Sequence, residues 1–264
     1  MKKLLCCACA AVLSLAAVSP CFAAAADSPW NGTWKENEAK STLSGNTVTY
    51  MAKRGGQFHY SNGGSIEYDF ACDGKAYPTL SDRTVTCTGT AATGMDFIAA
   101  AHGTVLSKSH RTFSPDGKMM MIHGTSMRPD GTSYDFDETM KRLSGTRGLA
   151  GKWLNVKDKS GSANVMVMQV FDNMMHIEEP AQKEMIDAKL DGSDGKANGP
   201  NVPPGAAWTF KTDGANKLDF SIKLKGKVLY QGTYTLSPDG KSFVESEWVP
   251  GRVAEKDRVV YEKQ

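Results

Sequence analysis

The side chains in this sequence that titrate near neutral pH are His59, His102, His110, His123 and His176. His176 stands two residues before Glu178, with Glu179 next. Residues two apart on a strand share a face, so His176 and Glu178 read as an acid–base pair if that face lines a cavity. On a solvated face the same pair does no chemistry. Met119, Met121, His123 and Met127 occupy alternate positions of one stretch. Thioether and imidazole on one strand face form a donor set that suits copper, although methionines also fill irregular gaps in a core. A turn that sets Ser114 opposite Lys118 places His123 opposite Ser109 and His110 opposite Ile122. The two histidines then lie on opposite faces, and no metal is assigned. Asp187, Asp191 and Asp194 lack the spacing of a calcium loop. Nucleophile elbow, HExxH helix, phosphate loop and dinucleotide fingerprint are all missing from the sequence. No catalytic residue and no cofactor is therefore assigned, and an enzyme is the minority reading. Of the five tryptophans, Trp208 and Trp248 are the candidates for stacking a ligand at a binding mouth.

What positions these residues begins at the N-terminus. Lys2-Lys3, an apolar run from Leu4 to Val18, Ser19-Pro20 and small residues from Ala23 to Ala26 follow the order of a secretory signal peptide. The run is too short to span a bilayer as a helix. Acylation at Cys21 would need a small residue where Pro20 stands. A leader of residues 1–26 implies a periplasmic or secreted protein, not integral to the membrane. Without Lys2 and Lys3, the 31 basic residues become 29, against 29 acidic ones. A formally neutral chain gives no electrostatic reason to bind nucleic acid or an anionic membrane. Four of six cysteines fall in the leader, which leaves Cys72 and Cys87. In an oxidising compartment this even pair is expected to be bridged.

Two landmarks recur. Ser114-Pro115-Asp116-Gly117-Lys118 returns as Ser237-Pro238-Asp239-Gly240-Lys241, and Gly32-Thr33-Trp34 as Gly151-Lys152-Trp153. Repetition in the same order at nearly the same period means two copies of one unit, read as residues 27–146 and 147–264. The recurrent pentapeptide is hairpin chemistry, with Gly117 and Gly240 at the left-handed position. Ile66, Tyr68, Phe70 and Cys72 alternate with polar residues, as do Leu218, Phe220, Ile222 and Leu224. That period of two predicts strands with one buried face. Pro180 to Leu190 reads as a short helix and Asp191 to Gly205 as a loop. Gly145 to Gly151 reads as the join between two touching domains.

Each copy thus offers about eight meandering strands, and closure into a barrel or sandwich would protect exposed edges. Gly-x-Trp on the first strand resembles the opening motif of lipocalins and related calycin barrels. The run from Gly32 to Ser41, the Asp73-Gly74-Lys75-Ala76-Tyr77-Pro78 segment and the late Asp-Gly-Lys turn resemble exported bacterial lipocalin-like domains. The fold expected is all-β: two consecutive antiparallel up-and-down lipocalin-like barrels of about eight strands each. The resemblance implies that Trp34 and Trp153 plug the barrel ends, and that a barrel mouth holds an apolar ligand. The function expected is that of an exported, non-enzymatic binding protein for a small apolar or amphipathic molecule. An envelope protein-interaction module is the alternative, ahead of a metal-binding protein or a small hydrolase or isomerase.

Overall fold

The computed structural model describes residues 28–42 and 45–264. The expected leader, with Cys6, Cys7, Cys9 and Cys21, lies outside the described residues. The architecture is all-β, with twenty strands and only single-turn 3-10 segments between them. In chain order the first ten are β1 (Gly32–Glu36), β2 (Thr47–Ala52), β3 (Gln57–Ser61), β4 (Glu67–Ala71), β5 (Ala76–Pro78), β6 (Arg83–Thr90), β7 (Gly94–Ala101), β8 (Thr104–Phe113), β9 (Met119–Met127) and β10 (Ser133–Ser144). The others are β11 (Gly151–Ser160), β12 (Val165–Phe171), β13 (Met174–Glu179), β14 (Glu184–Lys189), β15 (Gly195–Asn198), β16 (Ala206–Thr212), β17 (Lys217–Leu224), β18 (Lys227–Leu236), β19 (Ser242–Trp248) and β20 (Asp257–Lys263).

They form two barrel-like antiparallel sheets of ten strands each, so the expected eight is corrected to ten. The additional strands come from stretches whose turn-like composition hides them. The expected helix from Pro180 is one 3-10 turn, Pro180–Gln182, followed by β14, and the expected loop after Asp191 contains β15. Pro180 starts a turn that Lys183 ends in the left-handed conformation, φ 50°. After it, Ile186 and Ala188 alternate inward with the period of a strand.

The sheets do not follow the division at residue 146. Strand β1, which carries Trp34, is hydrogen-bonded between β12 and β20 of the C-terminal sheet. Strand β11, which carries Trp153, lies between β10 and β2 of the N-terminal sheet. Each copy therefore completes the other's barrel with its opening strand. The chain crosses between sheets twice, from Glu36 to Thr47 and from Ser160 to Val165. The segment from Gly145 to Gly151 turns β10 into β11 within one sheet and does not join two domains.

Register fixes how the barrels stand. β1 and β11 run from a plugged end toward the middle of the molecule, and β2 and β12 run away from it into the opposite barrel. The open ends therefore face each other. Arg252 of the C-terminal barrel bonds the Thr47 and Asn62 carbonyls, Ser65 Oγ donates to Val228 O at 2.9 Å, and Asn46 Nδ2 donates to Asp257 at 2.6 Å.

The outer ends are packed alike. Trp34 and Trp153 are fully buried, and each indole N–H donates to the carbonyl four residues earlier, Trp30 O at 2.9 Å and Leu149 O at 2.8 Å. Trp34 sits among Met166, Met168, Met175, Phe210, Leu218 and Phe243, and Trp153 among Met120, Met140, Met95 and Cys87. A cation covers each indole: Lys263 Nζ lies 5.2 Å from the Trp34 ring and Arg142 Cζ 4.0 Å from the Trp153 ring.

The C-terminal sheet closes through β1, whereas the N-terminal sheet ends on β4 and β5 without a ladder between them. The Cys72–Cys87 disulfide ties this seam, because Cys72 directly follows β4 and Cys87 belongs to β6.

Both pentapeptide turns close one residue further on than Ser opposite Lys. Ser114 N donates to Met119 O and Ser237 N to Ser242 O, while Asp116 and Asp239 accept from the lysine amides. Gly117 and Gly240 take φ of 67° and 65°, where a Cβ is disfavoured. This longer loop overturns the expected register. His110 pairs with His123, and Ser109 pairs with Gly124.

Candidate ligand-binding chamber

Charged residues on inward positions distinguish the two open ends. In the N-terminal barrel, β8 turns Ser107, Ser109 and Arg111 toward the interior. Arg111 reaches Tyr50 on β2, whose phenol oxygen accepts from Nη1 at 2.7 Å. Its guanidinium lies over Phe97, with Cζ 3.8 Å from the ring centroid. Arg111 Nε is buried without a hydrogen-bond partner. Beside this group is a chamber of about 370 Å³, bounded by Tyr68, Val85, Phe97 and Ala99 and reaching Ile66, Leu80 and Leu106 at the rim. Burial raises the Tyr68 phenol above the ordinary tyrosine range, so it stays a neutral donor.

The C-terminal barrel meets this end with carboxylates. Glu36, Glu179, Glu245 and Glu247 follow Trp34, Ile177 and Phe243 on the inward positions of β1, β13 and β19. Burial, then neighbouring Glu247, Glu179 and Glu36, holds Glu245 well above the ordinary carboxylate range. Burial and Asp257 push Glu247 up to about 7. Asp257 itself rises to about 6 through burial. A second space of about 390 Å³ spans the junction, where Glu36 and Tyr261 of one barrel face Glu138, Tyr134 and Phe136 of the other.

The residues singled out from sequence are spread widely. Trp208 is partly buried against the C-terminal core. Trp248 lines a junction pocket of about 190 Å³ with Tyr60, Tyr230 and Arg252. The two do not share a mouth. His176 and Glu178 share a face, as alternation requires, but it is the outer face of β13, since Met175 and Ile177 point inward. His176 Nδ1 lies 2.7 Å from Asp187 and Nε2 lies 3.2 Å from Glu178. Asp187 and then Glu178 hold the imidazolium above its ordinary pKa, which makes it an ion-pair partner on a wall without a cavity. Met121, His123 and Met127 are also on an outer face, while Met120 and Ile122 enter the core. His110 and His123 each hydrogen-bond through Nδ1 to a different aspartate, Asp96 and Asp137, both at 2.8 Å. Among the described residues no three His, Cys, Asp or Glu side chains are placed to hold a metal ion.

Sequence reasoning missed Arg111 and the acidic mouth. The signal was present in β8, where Ser109, Arg111 and Phe113 share one face. A charge on the apolar-face parity of a strand is unusual enough to mark. Among the described residues no helix is long and apolar enough to cross a membrane. The chain matches no family model, no curated protein and no solved structure.

Proposed function

We propose that this chain is an exported binding protein built of lipocalin-like barrels, and that it holds a small apolar or amphipathic molecule in its N-terminal barrel. The observation that carries the reading is the contrast between the interiors. The C-terminal barrel is filled by Trp34, Met168, Phe210, Leu218 and Phe243, each fully buried. The N-terminal barrel keeps a chamber of about 370 Å³ whose walls combine Ile66, Leu80, Val85, Phe97, Ala99 and Leu106 with hydroxyl and guanidinium groups. Sites for small ligands are concave, mostly apolar and marked by a few convergent polar groups. Export is supported by the order of charged, apolar and small residues in the first 26 positions.

The test is titration of the whole mature protein with N-phenyl-1-naphthylamine, a neutral apolar fluorophore that brightens when shielded from water. Saturable binding of one probe per chain is expected. Ala99→Leu, which adds bulk to the chamber wall on β7, should abolish it. A wild-type protein that leaves the probe dark, or an Ala99→Leu protein that binds it as well as wild type, would refute the assignment.

A further inference from the structure

We infer that the ligand of the N-terminal chamber is an amphiphile with a single anionic head group, received by Arg111, with its apolar tail directed toward the junction of the barrels. This rests on the binding function proposed above and names the chemistry of that same site.

Arg111 is a guanidinium enclosed in a barrel without a salt-bridge partner among the described residues. Among the described residues no carboxylate lies within ion-pair distance of it. Its one hydrogen bond is to a neutral phenol, and Nε has none. The nearest candidate, Glu138, is two strands away: Arg111 pairs with Ile122, and Ile122 with Glu138. That separates the backbones by roughly 10 Å. Burial raises the Glu138 carboxyl above its ordinary range, outweighing the opposing pull of the Arg111 charge. A guanidinium cannot escape burial by losing its proton. An unpaired buried charge is expensive, and an anion in the chamber would offset that cost.

The walls agree with this assignment. No Asp or Glu borders the chamber, in contrast to the junction space with Glu36, Glu138 and Asp158. Ser107, Ser109 and Tyr68 add hydroxyl donors. Donors without acceptor carboxylates suit a ligand that brings several acceptor oxygens. Position along β8 gives the orientation. Phe113 contacts the plug tryptophan, with ring centroids 5.9 Å apart, so Arg111 lies deep. Leu106 lies five residues nearer the junction, where Ile66 and Leu80 also border the chamber and Arg83, the other cation on its wall, donates to the Asn201 carbonyl. The head group is therefore inside and the tail extends outward. A carboxylate and a phosphate monoester share the chemistry that Arg111 recognises.

The experiment compares decanoate, decyl phosphate and decanol, equal in chain length, on the whole protein. Each is measured by calorimetry and by displacement of N-phenyl-1-naphthylamine. At least one acid should bind about tenfold more tightly than the alcohol, the scale of one charge-assisted hydrogen bond. Which acid wins tells carboxylate from phosphate. Arg111→Met should keep probe and decanol binding while bringing the acids to the alcohol's level. Its folding is checked by circular dichroism, and the wild-type comparison needs no variant. Equal binding of acids and alcohol by wild type overturns the head-group assignment while leaving the binding function standing. So does an acid preference that survives in Arg111→Met. A protein that binds neither probe nor decyl compound overturns both.

Discussion

Glu247 offers the sharpest test of the physics at the barrel junction. It pairs directly across the ladder with Asp257, and like charges in that position repel. Around it stand Tyr60, Tyr230, Asn46 and Arg252, and Arg252 is engaged by Glu255. Burial, followed by Asp257, raises its pKa from 4.5 to about 7. The folded protein thus holds a proton on Glu247 that the unfolded chain has already released, over the window from pH 4.5 to about 7. Wherever the native state binds more protons, stability falls as pH rises. The penalty is absent below pH 4.5, grows through the window and is complete above about 7. At roughly 1.4 kcal/mol per pH unit, the full penalty is about 3 kcal/mol. Glu247→Gln removes the charge and keeps the shape. It should leave stability unchanged at pH 4.5 and raise it at pH 8 by about 1–3 kcal/mol, or a melting temperature gain on the order of 5 °C. Urea unfolding of both proteins at the two pH values reads this directly. A Glu247→Gln effect of equal size at pH 4.5 and pH 8 would refute the reasoning, as would a wild type that gains stability between them.

Two other outcomes follow from the fold. Replacing both Cys72 and Cys87 by Ser opens a crosslink spanning 15 residues, which should cost about 3 kcal/mol. Hydrogen exchange should quicken first at β4 and β5, and uniform acceleration over both barrels would contradict the role of the bridge at the seam. Trp34→Ala should destabilise by about 3–5 kcal/mol, as expected for a fully buried tryptophan. Although Trp34 opens the N-terminal copy, the loss of amide protection should fall on β12 and β20, beyond residue 164. Loss confined to β2 through β10 would disprove the strand exchange.

The local chemistry of these elements was legible in the sequence. Alternation in Tyr68–Phe70 and Leu218–Leu224 marks strands with one buried face, and the structure has them. Cys72 and Cys87 are joined, as their pairing in number suggests. Long-range pairing was hidden, because β1 and β11 share the Gly-x-Trp opening and that motif does not say which barrel each strand closes. Their exchange needs both crossings between the sheets, from Glu36 to Thr47 and from Ser160 to Val165, whose letters carry no signal of direction. Histidine pairing failed for a smaller reason. A turn one residue longer than assumed moves every cross-strand partner by one, which exchanges the faces. Arg111 escaped notice because a single inward charge is visible only once the face of its strand is known.

The exchanged opening strands also impose an order in time. β1 is made first, yet its partners are β12, about 130 residues later, and β20, at the far end of the described chain. The N-terminal barrel has all its strands once β11 has emerged, whereas β1 waits for Val165–Phe171 to pair one edge and for Asp257–Lys263 to pair the other. Contacts so distant in sequence slow folding, because chain entropy is lost before they form. The C-terminal barrel then closes last, and its closure also completes the junction that faces the chamber beside Arg111.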